Sequence, residues 1–340
     1  MNILAIESSC DETSAAVVSE REVKSNIISS QLFHSKFGGV VPELASRAHI
    51  EHISNIVKES LTQSNTSIND IDAIAVTTEP GLLGSLVVGS SFAKGLSVKY
   101  DIPVIPVNHI EGHIFSGCLS DDEVQFPIIC LVVSGGHTAI FYVESYNHYS
   151  ILGSTIDDAA GEAFDKIATL MKMPYPGGPH IDKLAKLGNP SAYDFPRSMK
   201  HSKDYNFSFS GLKTSVRYFL AKEFPDGIPE EKKVDIAASV QSAIVEVLVH
   251  KTINAARDKK AKAVVIAGGV SANSGLRDAM QAAADKYSIK FTAPKMGYCM
   301  DNAAMIGFIA EQKYKELNAE YPKVLTFTVS SNAIRAASPK

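Results

Sequence analysis

The chain has 340 residues, a length that is long for one domain and comfortable for two. Hydrophobic residues make up 45% and charged residues 21% of it, as in an ordinary soluble enzyme. The net charge of −4 excludes a protein that coats a polyanion, so any contact with nucleic acid has to be a local patch.

The first 107 residues predict three strands followed by alternating helices and strands. Strands are expected over residues 2–7, 13–20 and 23–29, then a helix over 42–64, a strand over 71–77, a helix over 84–100 and a strand over 103–107. The polar turn SSCDE at residues 8–12 joins the first two strands. It presents backbone N–H groups and carboxylates at a strand end, where phosphates and metals bind.

The next segment, NHIEGH at residues 108–113, places two histidines four residues apart. If Asn108 is an N-cap and the helix starts after it, His109 and His113 lie on one face and can hold one metal. Glu111 is about 200° around the helix from His109, so it points away from the pair and cannot serve as the base of an H-E-x-x-H peptidase. The alternative is two unrelated histidines near a helix start.

The pattern of the first half then repeats. The strand over 128–133, the turn SGGHT at 134–138 and the strand over 139–143 parallel the first hairpin and suggest an internal duplication. Further elements are expected in this order: a strand over 150–156, helices over 160–173 and 234–257, a strand over 263–267, and helices over 274–286 and 302–315. Residues 174–231 interrupt them and resemble an inserted subdomain, with helices over 181–187 and 212–219.

Several loops of the second half suit a nucleotide. Two similar halves facing each other would place their hairpin turns across one cleft. SGGHT at 134–138 and GGVSAN at 268–273 each let the backbone approach an anion, the second just before a helix start. Asp165 and Asp182 are suited to ribose hydroxyls. The alternatives are an ordinary hairpin turn for the first loop, and helix caps or surface ion pairs for the carboxylates.

Asp301 precedes the last predicted helix and has two interpretations. As an N-cap it would only start that helix. If it lies near His109 and His113, it completes a two-histidine, one-carboxylate set suited to iron or zinc with positions open for a substrate.

The inserted segment carries a local excess of positive charge. Between residues 193 and 217, five cations stand against Asp194 and Asp204, and five aromatic residues are interleaved with them: Arg197, Lys200, Lys203, Lys213 and Arg217, with Tyr193, Phe195, Tyr205, Phe207 and Phe209. Base stacking with phosphate contacts is one explanation. A small core with a solvated rim explains the composition equally well.

Eight collinear motifs resemble one known family, the tRNA threonylcarbamoyladenosine transferases (TsaD), formerly called O-sialoglycoprotein endopeptidases. They are ESSCDETS (7–14), NHIEGH (108–113), VVSGGHT (132–138), DDAAGEAFDK (157–166), PYPGGP (174–179), FSFSGLK (207–213), GGVSAN (268–273) and DNAAM (301–305). Met300 departs from the small Thr expected there, but the ligand Asp301 remains. The opening motif resembles the bacterial or mitochondrial branch, and the lack of a presequence favours the bacterial one.

The resemblance implies an α/β, duplicated actin/hexokinase/Hsp70-like (ASKHA) fold, with two halves around a nucleotide cleft. We expect a first half over residues 1–120 with the histidine pair, and a second over 121–340 with the insert at about 174–231. The implied reaction transfers threonylcarbamoyl from its adenylate to N6 of the adenosine 3′-adjacent to the anticodon, in tRNAs that read codons starting with A.

The resemblance also assigns residues. The metal ligands are His109, His113 and Asp301, for one divalent transition metal, iron or else zinc. Asp11 and Glu12 would orient the amine or accept its proton. The residues expected to hold the adenylate or a nucleotide are Val132, Val133, Ser134, Gly135, Gly136, Asp165, Gly178, Asp182 and Asn273.

Partners and compartment follow from the same resemblance. We expect tRNA, a smaller TsaB-like paralogue and a TsaE-like ATPase as partners. The four cysteines are scattered without a C-x-x-C pair, and are interpreted as packing residues: Cys10, Cys118, Cys130 and Cys299. With no signal sequence and no apolar run of about 18 residues, a cytoplasmic protein is expected. Two rival classes are a small-molecule kinase of the same fold and a non-catalytic scaffold.

Overall fold

The computed structural model describes residues 1–37, 39–119, 124–317 and 325–332. It divides into two units. Unit 1 comprises Met1–Asp122 together with Met300–Lys340, and unit 2 comprises Glu123–Cys299. The predicted boundary between residues 120 and 121 lies outside the described residues. The prediction also differs at the other end, because it assigned everything after residue 120 to the second half, whereas residues from Met300 onward belong to unit 1.

The described residues form strands and helices that follow the predicted order closely. The strands are β1 (Asn2–Glu7), β2 (Glu12–Ser19), β3 (Glu22–Ser30), β4 (Ala73–Glu79), β5 (Val104–Asn108), β6 (Ile128–Val133), β7 (Thr138–Val143), β8 (Tyr149–Ser154), β9 (Ala263–Ala267) and β10 (Lys290–Thr292). The helices are α1 (Pro42–Gln63), α2 (Leu83–Tyr100), α3 (His109–Ser116), α4 (Ala160–Leu170), α5 (Gly177–Ala185), α6 (Ser210–Glu223), α7 (Glu230–Asp258), α8 (Ser274–Lys286) and α9 (Ala303–Leu317).

Unit 1 is built on a five-stranded mixed sheet in the order β3-β2-β1-β4-β5. β1 is antiparallel to β2 and parallel to β4, as a hairpin followed by crossover helices requires. Helices α1 and α2 cover an apolar core that includes Leu4, Ile6 and Ile74. β1 is therefore buried in the centre of the sheet. The polar residues 8–12 follow it at its carboxyl end, which lies beside the carboxyl end of β4.

Helix α9 returns to unit 1 and packs on β1 and β2. Its first backbone N–H, at Ala303, donates to the Ser14 hydroxyl at 2.9 Å. A Cβ atom at Gly307 would lie 2.8 Å from Val18 Cγ2, so glycine is required for this close approach. This packing explains why the chain after Met300 joins the first sheet rather than the second.

Unit 2 repeats the topology of unit 1, which confirms the predicted duplication and fold class. Its sheet has the order β10-β9-β6-β7-β8, so β6 takes the place of β1, antiparallel to β7 and parallel to β9. The short strand β10 was not predicted, because three residues are too few to show a period. Helix α7 is long and apolar enough to cross a membrane by composition, but it is mostly buried, as a core helix is.

The segment between α4 and α7 belongs to the core of unit 2. Ile181 and Leu212, from α5 and α6, are buried in the same apolar cluster as Ile129 and Leu131 of β6. The apolar residues of the predicted insert therefore belong to the common core of unit 2. Their side chains are needed to cover one face of the second sheet.

Candidate functional site

Helix α3 begins where the sequence predicted. The Asn108 side chain accepts hydrogen bonds from the N–H groups of Ile110 at 2.8 Å and Glu111 at 3.4 Å, so it is the N-cap of the helix. The two histidines that follow lie one turn apart on one face. The ring centroids of His109 and His113 are 4.6 Å apart, with the rings nearly perpendicular. The predicted placement of both histidines on one face of the helix is confirmed.

Asp301 lies against both imidazoles. Its Oδ1 is 3.0 Å from His113 Nε2 and 3.5 Å from His109 Nε2, and the three ligand atoms lie within 4.8 Å of one another. Bonds of about 2.0–2.2 Å to one ion bring neighbouring ligand atoms to about 3.0–3.5 Å from each other. The described residues at this site therefore fit a transition metal with two nitrogen ligands and one oxygen ligand. We call His109, His113 and Asp301 the ligand triad.

The alternative of Asp301 as the N-cap of α9 is not what the structure shows. Asn302 Oδ1 accepts from the Met305 N–H at 3.1 Å, which is the capping hydrogen bond. Asn302 is buried, and its amide also donates to the Met300 carbonyl at 2.7 Å. Asp301 thus stands one residue outside the helix, with 23% of its side chain exposed, and its carboxylate is directed to the histidines.

The close packing of α3 on α9 depends on Gly112. A Cβ atom there would lie 2.8 Å from Ile306 Cδ1 and 3.0 Å from Met305 Cγ, which is tighter than ordinary carbon contacts. The glycine between the two histidines therefore lets α3 approach the helix that follows Asp301. It sets the spacing of ligands that come from two distant parts of the chain.

Glu111 is directed away from the ligand triad, as predicted. Its carboxylate pairs with Lys313 of α9 at 2.6 Å. It therefore cannot deprotonate a metal-bound water in the manner of an H-E-x-x-H peptidase. The residue has a structural role between α3 and α9.

Glu7, which was not predicted as a site residue, lies behind His109. Its Oε2 is 3.2 Å from His109 Nδ1. Burial opposes ionisation of Glu7, but the charge of His109 and the hydrogen bonds of His109 and Ser9 lower the pKa of Glu7 below its usual range. Burial also opposes a charge on His109, but Asp301 and Glu7 raise the pKa of His109 to about 9. In the metal-free protein, the His109 ring is therefore protonated on both nitrogens and positively charged at neutral pH.

Asp11 and Glu12 lie at the β1–β2 turn, in the same unit as the ligand triad. Burial, with the negative charges of Asp301 and Asp11, raises the pKa of Glu12 to about 9. Burial and the same acidic neighbours also raise the pKa of the Cys10 thiol. The turn is thus a cluster of carboxylates whose protonation depends on the charge at Asp301.

In unit 2, the predicted nucleotide loops meet at the carboxyl end of β6. Ser134 closes the β6–β7 turn with hydrogen bonds to His137, and its carbonyl accepts from the Gly161 N–H of α4 at 3.2 Å. Gly268 has a φ of 84°, and a Cβ atom there would lie 2.5 Å from the Val133 carbonyl. The two glycine-rich loops are therefore neighbours. Gly135 and Gly136 face open space, whereas Val132 and Val133 are buried strand residues.

The remaining predicted residues hold the same end of unit 2 together. Asp165 accepts from the N–H groups of Gly177 at 2.7 Å and Gly178 at 3.3 Å, at the start of α5. Asp182 accepts from the Ser274 hydroxyl at 2.8 Å, at the start of α8. The helix-capping alternative thus describes what Asp165 does in the structure. Burial raises the pKa of Asp165 despite these hydrogen bonds.

Asn273 is the N-cap of α8. Its side chain accepts from the Leu276 N–H at 2.9 Å and donates to Gln241 of α7 at 2.7 Å. The amide is therefore fixed between two helices, beside the loop that starts at Gly268. Together with Asp182, it orients the N-terminus of α8, where the helix favours an anion.

The basic and aromatic part of the insert is mostly structural. Phe195, Phe207 and Phe209 are buried, so they cannot stack on bases. Arg197 and Lys200 both pair with Glu246 of α7, at 3.1 and 2.9 Å, which removes part of the expected positive charge. Exposed cations remain at Lys203 and Arg217, with Lys213 half-buried. The core-with-rim alternative is therefore correct for the aromatic residues.

The fold and the ligand triad define a class of protein, namely a chain of the actin/hexokinase/Hsp70-like fold with a candidate metal centre in its first repeat. Two solved structures have this fold at 14% identity. T. kodakarensis HypF superposes with a TM-score of 0.63 over 93% of this chain and 48% of its own. The (R)-2-hydroxyglutaryl-CoA dehydratase component A of Acidaminococcus fermentans superposes with 0.55 over 94% and 100%. These likenesses show the fold alone.

Sequence comparison gives the family. Residues 22–308 match TsaD, described as tRNA N6-adenosine threonylcarbamoyltransferase. A relative of that name from Thermosipho africanus is 50% identical over 93% of this chain and 95% of its own. One from Clostridium botulinum is 52% identical over 92% and 93%. The chain belongs to the TsaD family of tRNA-modifying transferases, which confirms the predicted enzyme class over the kinase and scaffold alternatives.

Proposed function

We propose that this chain transfers the threonylcarbamoyl group from threonylcarbamoyl-adenylate to N6 of the adenosine 3′-adjacent to the anticodon, with release of AMP. The substrates are tRNAs that read codons beginning with A. The observation that carries the proposal is the convergence of His109, His113 and Asp301 in a chain of this family. A divalent transition metal held there, iron or else zinc, would polarise or orient the threonylcarbamoyl group.

The chemistry explains why an adenylate is needed. An exocyclic adenine amine is a poor nucleophile, so the acyl donor must carry a good leaving group, and AMP is one. In this proposal, Gly135 and Gly136 admit the phosphate close to the backbone because they face open space. The other adenylate contacts are proposed to come from the end of β6, from α4 and α5, and from the N-cap of α8, through Val132, Val133, Ser134, Asp165, Gly178, Asp182 and Asn273.

The carboxylates of the β1–β2 turn are proposed to handle the proton of the attacking amine. Glu12 has a pKa of about 9 in the metal-free protein, and the second largest cause, after burial, is the charge of Asp301. This pKa keeps Glu12 protonated at neutral pH, so Glu12 would accept the proton of the amine only when a bound cation offsets the charge of Asp301 and lowers the pKa of Glu12. Asp11, which precedes Glu12 in the turn, would orient the amine.

The partners proposed are tRNA, a smaller TsaB-like paralogue and a TsaE-like ATPase for turnover. The proposed location is the cytoplasm, since the four cysteines all lie in the part of the chain that the structure describes and none of them forms a disulfide, as in proteins of a reducing compartment.

The metal centre is tested by elemental analysis of the double variant His109→Ala with His113→Ala. The purified wild-type protein should hold close to one ion per chain, and the double variant should hold none. A matched control is His201→Ala with His250→Ala, because these two rings are also neighbours, with centroids 5.4 Å apart, but are not part of the ligand triad. Full metal content in the first variant would contradict the assignment.

The reaction is tested by mass spectrometry of tRNA nucleosides. The purified protein, with the candidate partners, is incubated with threonylcarbamoyl-adenylate and tRNA of the stated class. Threonylcarbamoyladenosine should appear with the wild-type protein and the control pair, and should fall sharply with the triad variant. Equal yields from all three proteins would refute the role of the centre.

A further inference from the structure

Glu7 is a buried carboxylate in an unusual position. It is the last residue of β1, the central strand of the first sheet, and its side chain is 0% exposed. A carboxylate is costly to bury unless hydrogen bonds or a nearby cation compensate for lost water. The position of Glu7 at a strand end beside the ligand triad therefore calls for a specific set of partners.

Three donors surround the Glu7 carboxylate. Oε1 accepts from the Ser9 backbone N–H at 2.6 Å, and Oε2 accepts from the Thr77 hydroxyl of β4. Oε2 also lies 3.2 Å from His109 Nδ1, and the Ser9 hydroxyl lies at the same distance from that nitrogen. An ionised carboxylate can only accept, so Nδ1 of His109 must carry the hydrogen. The lone pair of a neutral His109 is then on Nε2, the atom that faces Asp301.

We infer that Glu7 is a positioning residue that holds His109 with its hydrogen on Nδ1, and so presents Nε2 to a divalent cation in the ligand triad. The inference rests on the proposed function, because it assumes that the triad holds a metal. Carboxylates that accept from the outer nitrogen of a metal-bound imidazole fix both its tautomer and its ring orientation.

The surroundings of other buried groups show that this role is specific to Glu7. The buried carboxylate of Glu111 is paired with Lys313, and that of Glu311 accepts from the backbone N–H groups of Glu20 and Arg21. The buried Nδ1 of His113 has no hydrogen-bond partner among the residues that the structure describes. Among the described residues, a carboxylate outside the ligand triad, that of Glu7, therefore holds the imidazole of His109 but not that of His113.

The test compares Glu7→Gln with Glu311→Gln. Both variants replace a buried carboxylate of unit 1 by an amide of the same shape, but Glu311 lies about 12 Å along α9 from Ala303, the first residue of the helix that follows Asp301. Affinity for Co²⁺ is measured by competition with a chelator. Glu7→Gln should lower it about 10–100-fold, the usual effect of losing such a partner, while Glu311→Gln should stay within about twofold of wild type.

A second measurement does not depend on any variant being folded. In the Zn²⁺-loaded wild-type protein, the ¹⁵N shifts of the His109 ring should show Zn²⁺ on Nε2 and a slowly exchanging hydrogen on Nδ1. Ligation through Nδ1 would overturn the inference. In a folded Glu7→Gln protein, that hydrogen should exchange faster, an effect that a purely structural role of Glu7 would not produce.

The outcomes separate this inference from the proposed function. If His109→Ala with His113→Ala keeps its metal, the proposed centre itself is wrong, and the inference falls with it. If that variant loses its metal while Glu7→Gln binds Co²⁺ with wild-type affinity, the centre stands and only the role of Glu7 is refuted.

Discussion

Replacing Gly112 by alanine should test how α3 and α9 set the spacing of the ligand triad. The added Cβ atom would lie 2.8 Å from Ile306 Cδ1 and 3.0 Å from Met305 Cγ. Carbon atoms prefer about 3.5–4.0 Å, so the two helices must separate by about 0.5–1 Å. Both neighbours are fully buried, which leaves little room for their side chains to move aside.

The magnitude follows from comparing two glycines. Gly95 lies in α2, and a Cβ atom there would contact nothing within 4 Å. Gly95→Ala should therefore gain about 0.8–1.0 kcal/mol from helix propensity alone. Gly112→Ala has the same gain but an overpacking cost of about 1–3 kcal/mol. The two variants should differ by that cost, which is about 2–4 °C in Tm per kcal/mol for a unit of this size.

The assay is thermal unfolding of both metal-free variants, followed by Co²⁺ titration. Metal–ligand distances tolerate about 0.2 Å, so a displacement of 0.5–1 Å should lower the metal affinity of Gly112→Ala at least about tenfold. Gly95→Ala should bind as the wild type does. If Gly112→Ala is as stable as Gly95→Ala and binds Co²⁺ normally, the packing of α3 on α9 does not control the ligand spacing.

Three further predictions concern pH, nucleotide and RNA. Since the pKa of His109 is raised from 6.5 to about 9 in the metal-free protein, its stabilising contribution is complete below about pH 6.5 and is lost as pH rises to about 9, so His109→Gln should flatten the pH dependence of Tm in this range. Gly135→Val should weaken AMP binding at least about tenfold in calorimetry without changing Tm, because the site is open; unchanged affinity would contradict the loop assignment. Lys203→Glu should weaken tRNA binding without changing Tm, and should reduce the slope of log K against log salt concentration by about one. Lys200→Glu should have the same effect on binding and should also lower Tm, because the new carboxylate repels Glu246. If the slope is unchanged in both variants, the tRNA binds at another surface.

Much of the fold was predictable because it depends on local patterns. The apolar runs of β1 and β6, each followed by a polar turn, predicted that the chain has two similar halves. The N-cap at Asn108 and the spacing of His109 and His113 fixed one face of α3. The link to Asp301 came from family resemblance, since no periodic pattern connects residues so distant in the chain.

The errors have a common physical cause. Residues distant in the chain determine where some helices start and how much local charge remains unpaired. Helix α6 starts at Ser210 rather than the predicted residue 212, because Asp157 accepts from the N–H groups of Phe209 and Ser210. Helix α5 starts at Gly177 rather than at residue 181, since Asp165 caps it. The net positive charge around Arg197 and Lys200 was overestimated because Glu246, which pairs with both, comes from α7, a distant part of the chain. Glu7 was missed although it is a charged residue that ends an apolar strand, and that signal was in the sequence.

The discontinuity of unit 1 has a consequence for biosynthesis. His113 and Asp301, in hydrogen-bond contact, are separated by 188 positions of the chain. His109 and His113 are synthesised long before Asp301. The nascent chain therefore has an incomplete ligand set while the whole of unit 2 is synthesised. If unit 2 folds first, it shortens the effective loop that the returning chain must close, and so lowers the entropic cost of closure. Metal uptake by the full ligand triad therefore needs a chain that extends at least to Asp301, because no product that ends before that residue contains all three ligands.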